Sequence, residues 1–504
     1  MTHTKLSPAM LPLLATLLVA GCRVGPVYKQ PVASAQAPPA VYKEAPIASQ
    51  DSDAWKTAQP QDAMLRGKWW EIYNQPELND LEDKLNIDNQ NIKVYFENYM
   101  EARTLIAQAR AQLYPTLTTT PSYQRSRASA NTGSSNTTTA ASGQQNSLTS
   151  LPLTASWEPD LWGKVRNAIR EEQYNAQLTE ADLENEKLTE QATLAEVYFE
   201  VRGQDALVQL YKDTVAADQK AYEIAKAGYE VGTVDKITEV EALNTLQNAQ
   251  SQAINLGVAR AQYEHAIAML IGTSASSFSI PVKPMTAAPP AIPVGLPSQL
   301  LERRPDIAAS ERSMAAANAQ IGVAVAAFYP NLTLSAEGGL ESSTLKHLFD
   351  WPSRFWSVGP SVSETIFDAG LRRATVNQYI ATYNGDVATY RQTVLTAFQQ
   401  VEDYLAEVRI LGDQIKQQEL AEQSAKEYLK LQMARYETGV DPYVDVVTAQ
   451  NTLLSDQQSL TSLRIQQMTA SVQLIEALGG GWDTSQLPSP ADVSKKLGKL
   501  DIAK

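Results

Sequence analysis

Between Pro76 and about Leu113 the apolar residues Leu78, Leu81, Leu85, Ile92, Tyr95 and Phe96 recur at helical spacing, and Pro76 suits the opening turn because an N–H there has no partner to lose. At Tyr114-Pro115 the period falls to two. Leu117, Thr119, Pro121 and Tyr123 alternate with Thr116, Thr118, Thr120 and Ser122, which predicts a strand. Residues 124–147 are rich in Ser, Thr, Asn and Gly and read as a solvated loop. Leu151, Leu153, Ala155 and Trp157 then alternate with Pro152, Thr154 and Ser156, the return strand of a hairpin. Prolines within strands weaken a ladder, so Pro121 and Pro152 are the awkward positions. Helical pattern resumes near Asp160 and runs to about Tyr229, roughly 100 Å at 1.5 Å per residue. It stops at Gly232 and returns from about Ile237 to Ile271.

The same order then repeats. Arg304-Pro305-Asp306 opens a helix, with proline early and an acid at the positive end. Phe328-Tyr329-Pro330-Asn331-Leu332-Thr333 echoes Leu113-Tyr114-Pro115-Thr116-Leu117-Thr118, and a second hairpin returns through Trp356, Val358, Pro360 and Val362. A long helix is expected from about Ala369 to Tyr436 and another to Leu478, ended by Gly479-Gly480-Gly481. With a constant offset of 207, Gly163 matches Gly370, and Tyr229, Glu230, Gly232, Val240, Asn244, Thr245 and Leu246 match Tyr436, Glu437, Gly439, Val447, Asn451, Thr452 and Leu453. So long a period is not a short solenoid unit. The chain is two copies of helix, β-hairpin, long helix, turn, helix, with two equivalent turns at the far end. The expected divisions are 63–272 for the first copy (hairpin about 115–158, turn about 228–239), 273–299 for a Pro/Ser-rich connector, 300–481 for the second copy (hairpin about 330–364, turn about 435–448) and 482–504 for a polar tail.

Ahead of the repeats, Leu6 to Ala20 is an apolar run too short to span a bilayer, followed by Val19-Ala20-Gly21-Cys22. This reads as a cleaved export signal over 1–21 and resembles the lipobox of bacterial lipoproteins. The resemblance implies acylation of Cys22, and Arg23 in place of an Asp points to the outer membrane. Residues 22–62, rich in Pro, Ala, Gln and Ser, read as an extended lipidated tether.

Composition narrows the function. The net charge of −14 argues against a nucleic-acid partner, which would need a basic stripe. Of three histidines, His3 lies in the signal, and His265 and His347 are far apart, so no metal site can be drawn. No nucleotide-binding loop or nucleophile elbow appears, and neither a cofactor nor an enzyme is expected.

The mature chain has no apolar stretch of spanning length, yet its four strands are each about long enough to cross a tilted path through a bilayer. Strands cross lipid only as a closed barrel, and four cannot close one. Identical copies must therefore pool them: two would give eight strands and a filled lumen, three would give twelve and room for a channel. The alternative is a soluble hairpin on a helical bundle.

Gly295-Leu296-Pro297-Ser298-Gln299-Leu300-Leu301-Glu302-Arg303-Arg304-Pro305-Asp306-Ile307 resembles the signature of the TolC/OprM-like (NodT-type) outer-membrane factors of RND tripartite efflux systems. The run from Trp69 to Leu78, Ala319-Gln320-Ile321-Gly322 before Phe328-Tyr329-Pro330, and both Tyr-x-x-Gly turns match as well. The likeness covers about Trp69 to Gly481. It implies a mainly α fold with membrane β structure: a homotrimer whose twelve-strand β-barrel in the outer membrane continues as a long periplasmic α-barrel. It also implies a passive exit duct serving a periplasmic membrane-fusion adaptor and an inner-membrane RND pump, with the duplicated turns at the closed periplasmic tip. A duct for type I protein secretion and a coiled-coil lipoprotein without a pore are the alternatives. In such a trimer Asp441 and Asp445 would form carboxylate rings, Val444 an apolar constriction, and Tyr436 part of the gate. Thr448 stands where the family often carries an acid. Tyr229, Gly232, Asp235, Lys236 and Glu239 of the first turn, with Arg435 and Gly439 of the second, are the expected latch or adaptor contact, Asp235, Lys236 and Glu239 pairing with Arg435 or Tyr436 of the second turn.

Overall fold

The computed structural model describes residues 23–33, 42–44, 67–127, 129, 145–285, 288–292, 300–496 and 498. Cys22, the signal and most of the loop 124–147 lie outside them. The principal elements are α1 (Pro76–Asp88), α2 (Gln90–Ala111), β1 (Thr116–Thr119), β2 (Ser122–Arg127), β3 (Gln145–Trp157), α3 (Lys164–Glu230), α4 (Lys236–Leu270), α5 (Pro305–Ala326), β4 (Asn331–Ser342), β5 (Arg354–Ser363), α6 (Leu371–Glu437), α7 (Tyr443–Ala477) and α8 (Pro490–Val493). The duplication is carried into geometry: α3 and α6 are both 67 residues long, and α4 and α7 both 35. Each second copy starts 207 places after the first, whereas α5 starts 215 places after α2, so the first hairpin is the longer one.

Three local departures from the periodicity have physical causes. The helix expected from Pro76 to Leu113 breaks at Asn89, which leaves the α region (ψ 128°) and caps α2 by accepting from the Ile92 N–H at 3.0 Å. Its buried amide donates to Glu190 and to the Leu270 carbonyl, both at 3.0 Å, so the break fastens the first repeat together. The first expected strand is split between Thr119 and Ser122. Thr119 faces Leu153 and Ser122 faces Ser150, so the register is unchanged across the gap. Continuing it sets Pro121 opposite Leu151 and Thr120 opposite Pro152, and neither proline can donate to a ladder. The strands also run further than the alternation suggested, Gln124–Arg127 pairing with Gln145–Leu148 inside the expected loop.

All strands form one antiparallel sheet in the order β1/β2, β3, β4, β5. Its register sorts the side chains. Leu117, Ala155, Ala336 and Val358 form one row across the sheet, Thr119, Leu153, Gly338 and Trp356 the next on the same face, and Leu151 and Leu340 another. On the opposite face the rows read Thr116, Ser156, Ser335, Gly359, then Thr118, Thr154, Glu337, Ser357. One face is apolar and the other polar. Among the described residues the outer margins of β1/β2 and of β5 have no strand partner.

The largest core lies mid-chain. Trp69, Trp70, Leu78 and Leu85 pack against Leu194, Tyr198 and Phe199 of α3 and Met468, Val472 and Ile475 of α7, which assigns the tryptophans to packing. The Arg304-Pro305-Asp306 motif is a knot. Arg304 pairs with Asp306 at 2.6 Å and donates to Gln400 of α6 at 2.8 Å and to the Ala477 carbonyl closing α7 at 3.0 Å. A second knot, built on the fully buried Asp205 of the first repeat, escaped the sequence reading. Asp205 accepts from Arg202, from Arg260 at 2.7 Å, and from the backbone of Lys283 in the connector at 2.8 Å.

The terminal segments are bound to the body. Val24 N–H donates to the Trp162 carbonyl at 3.0 Å, Tyr28 to Glu311 at 2.5 Å, and the Lys43 and Glu44 N–H groups to Glu402 at 2.8 and 3.0 Å. The described parts of the expected tether, 23–33 and 42–44, contain no helix or strand and are docked along α5 and α6. At the other end Val493 is buried against Ala102, Ile106 and Ala176, and Arg110 caps the Ser494 carbonyl at 2.9 Å.

Candidate functional site

The two turns close the end of the molecule opposite the sheet, about 100 Å away along α3 and α6. Their backbones are copies. In the first, Thr233 N–H reaches the Gly228 carbonyl at 2.8 Å and Gly232 N–H the Tyr229 carbonyl at 3.0 Å; in the second, Val440 reaches Arg435 and Gly439 reaches Tyr436, both at 2.9 Å. This is a Schellman ending, whose C′ residue must be left-handed. Gly232 and Gly439 take that place with φ 77° and 74°.

The side chains that fasten the turns differ. Asp235 caps α4, accepting from the Thr238 N–H at 2.9 Å and hydroxyl at 2.8 Å, and these bonds hold its carboxyl below the usual range. Lys236 pairs with Glu239 at 2.5 Å and lies 4.9 Å above the Tyr229 ring. The position equivalent to Asp235 is Pro442, and no side chain caps α7. Arg435 instead forks across the turn onto Asp441, Nε to Oδ2 at 2.5 Å and Nη2 to Oδ1 at 2.8 Å. That fork depresses the Asp441 carboxyl, and Asp441 and more weakly Asp445 raise the Arg435 guanidinium.

Beneath the turns, Ala221 and Ala225 of α3, Ala242 of α4, and Tyr443 and Val446 of α7 form a buried cluster. Tyr436 is half-buried against it, its ring 5.3 Å from that of Tyr443. Val444 remains exposed. Close by, Asp218 of α3 is buried and desolvation pushes its carboxyl up to about 6. Burial, then the charge of Asp218, then Tyr436 and Glu241 push the Tyr443 phenol up to about 12.

The structure thus gathers the expected residues at one end but arranges some of them otherwise. Asp235, Lys236 and Glu239 do not latch onto Arg435 or Tyr436 within the chain; each charge is engaged inside its own turn. Asp441 is already forked by Arg435 rather than standing as a bare carboxylate. Thr448 bonds back to the Val444 carbonyl at 2.9 Å, as helical threonines do. Sequence reasoning missed Asp218, Tyr443 and Val446. The signal was there in the repeat: Tyr443 and Val446 stand where the first copy has the charged Lys236 and Glu239, and the apolar pair joins the buried cluster.

Known proteins bear on this geometry. The family model described as outer membrane efflux protein matches residues 84–273 and 296–480. Solvent efflux pump outer membrane protein SrpC of Pseudomonas putida is 32% identical over 94% of this chain and 99% of its own. Outer membrane protein OprJ of Pseudomonas aeruginosa is 30% identical over 94% and 95%. Among solved structures, a membrane protein from Pseudomonas aeruginosa superposes with a TM-score of 0.80 at 27% identity over 92% of this chain and 98% of that one. The Campylobacter jejuni CmeC outer membrane channel superposes at 0.81 over 94% and 98%, its 22% identity speaking for the fold alone. Duplicated long helices, a two-faced sheet and matches across both repeats agree: the chain belongs to the outer membrane efflux protein family and is an outer-membrane channel component of an efflux pump.

Proposed function

We propose that three copies of this chain surround one axis, pooling their four-strand sheets into a twelve-strand barrel in the outer membrane and their helices into a periplasmic tube. The observation that carries this reading is the sheet itself. One face is apolar, the other polar, and both margins are open. In hydrocarbon every such N–H and C=O needs a partner, which neighbouring copies can supply. Twelve strands leave a lumen wide enough to conduct. Aromatic side chains at the helix–sheet junction, Tyr114, Trp157, Phe328, Tyr329 and Phe367, suit the lower girdle of such a barrel.

The duct is passive and has no chemistry of its own. It rests closed at the turns and opens when a periplasmic adaptor and a proton-driven RND pump engage them. The Arg435–Asp441 fork is the fastener, Tyr436 its packed neighbour, and Val444 and Asp445 the groups nearest the mouth; Tyr229, Gly232 and Gly439 shape the surface the adaptor meets. Acylation of Cys22 fits the docking of Val24 beside Trp162, which brings the start of the mature chain to the sheet end of the helices. The mass of the protein extracted in mild detergent and its conductance in planar bilayers test the reading. A trimer with a low resting conductance is expected; a monomer without conductance overturns it.

A further inference from the structure

The strands of the sheet contain five charged residues, Arg125, Arg127, Glu337, Glu341 and Arg354, and the register separates them completely by sign. Glu337 lies in the row of Thr118, Thr154 and Ser357, and Glu341 in that of Ser122 and Ser150, both on the polar face. Arg354 shares its row with Leu340 and Leu151, and Arg125 and Arg127 continue the alternation of Leu117, Thr119 and Tyr123, so all three arginines belong to the apolar face.

Their height on that face is equally specific. From the row of Leu332 and Val362 to that of Ser342, Thr149 and Tyr123 is ten residues of β4, about 34 Å along the strand. At the tilt of outer-membrane barrels this rises about 25 Å, the height of their apolar band. Arg125 and Arg127 stand just beyond Tyr123, on the side of the hairpin turns, where headgroups begin. Arg354 lies one row below Tyr123, its guanidinium 3.5 Å from the Trp351 ring centroid, an arrangement that holds it at an interface. Among the described residues none of the three has a carboxylate partner; Arg125 donates to the Gln145 side-chain oxygen at 2.7 Å. A rim exposed only to water would tolerate both signs. One that meets phosphate would keep fork-shaped donors free of carboxylates; the one acid of the β4–β5 turn, Asp350, bonds His347 at 2.7 Å rather than any of the three arginines.

We infer that Arg125, Arg127 and Arg354 form a collar that binds the phosphate groups of the phosphorylated glycolipid in the outer leaflet, lipid A. The inference rests on the membrane-spanning reading above and adds a ligand to it. Three copies would present nine guanidinium groups around the barrel, enough to seat lipid at each junction between copies.

The test is the lipid A retained by protein extracted from outer membranes in mild detergent, measured by mass spectrometry for the native chain, for the triple variant Arg125→Gln, Arg127→Gln, Arg354→Gln, and for Glu337→Gln with Glu341→Gln as an opposite-face control. Retention should fall roughly tenfold or more in the arginine variant, each Arg near an anionic surface adding to the attraction. It should be unchanged in the glutamate control and partly restored by lysine at the three positions. Reconstituted vesicles holding diphosphorylated, monophosphorylated or dephosphorylated lipid A should give that order of binding, with inorganic phosphate failing to substitute. Bilayer conductance is read on every variant. A conducting arginine variant that keeps its lipid A overturns the collar alone. A native chain that neither inserts nor conducts overturns the spanning reading and the collar with it.

Discussion

The two turns share a backbone and differ in how it is held shut. The first is fastened within its own helix: Asp235 caps α4, and Lys236 and Glu239 pair three residues apart on one face. The second has proline where the cap would be and relies on one fork from Arg435 to Asp441, reaching across the turn itself. A local cap cannot be undone without fraying the helix. A fork whose arginine is exposed can be exchanged for contacts with a partner at modest cost, since ion pairs open to water contribute little and are screened by salt. Duplication gave two turns with one backbone; on the gate proposed above, the first would be the fixed one and the second the releasable one.

Removing the fork should have the largest effect. Asp441→Asn, or Arg435→Gln, should raise single-channel conductance several-fold in planar bilayers, with Asp441→Asn plus Asp445→Asn larger still and less cation-preferring. High salt should shrink the difference from the native chain. Because Arg435 depresses the Asp441 carboxyl, the fork is fully formed above the ordinary carboxylate pKa of about 4 and is lost as pH falls through the lower folded value. Native conductance should therefore climb only in acid. Conductance of Asp441→Asn equal to native would remove the fork from the gate.

Next in size is Asp218, which bears on the floor of both turns. Its carboxyl titrates near 6 when folded and near 4 when unfolded, so the folded state gains protons on acidification and loses stability as pH rises between those values. Asp218→Asn should stabilise the protein by about 2–3 kcal/mol at pH 8 and by almost nothing at pH 4, read by denaturant unfolding. Equal effects at both pH values would mean that Asp218 is not buried as described.

Smaller again is the shared backbone. Gly232→Ala and Gly439→Ala each place a Cβ on a left-handed residue and should cost about 1 kcal/mol apiece, the two matching because φ matches. Smallest should be Asp235→Ala, which loosens the start of α4 in hydrogen exchange and leaves conductance where it was. An open channel from Asp235→Ala would show that both turns are releasable.

Much of this was legible in the chain. Helical and alternating periods placed the long helices within a few residues of Lys164–Glu230 and Leu371–Glu437, and the offset of 207 paired the turns before any fold was known. What escaped was what periodicity does not encode. Asn89 breaks a helix through bonds to Glu190 and Leu270, distant in sequence. Residues 23–33 have no period, yet they dock through the Val24 N–H to Trp162 and the Tyr28 hydroxyl to Glu311. Arg435 was singled out but given partners in the other turn, because a list of charges does not say which carboxylate its fork can reach. The strands ran into the polar loop at Gln124 and Gln145 because a ladder extends wherever backbones face each other, whatever the side chains.

The sheet's two unsatisfied margins have a bearing on biogenesis. An isolated copy would carry a row of unmet N–H and C=O groups into hydrocarbon, several kcal/mol for each, and has no stable place there. In water the same margins invite indiscriminate strand addition. Insertion and association must therefore be a single event whose yield depends on chain concentration. A mutant with weakened subunit contacts should accumulate as clumped precursor in the periplasm rather than as narrower pores.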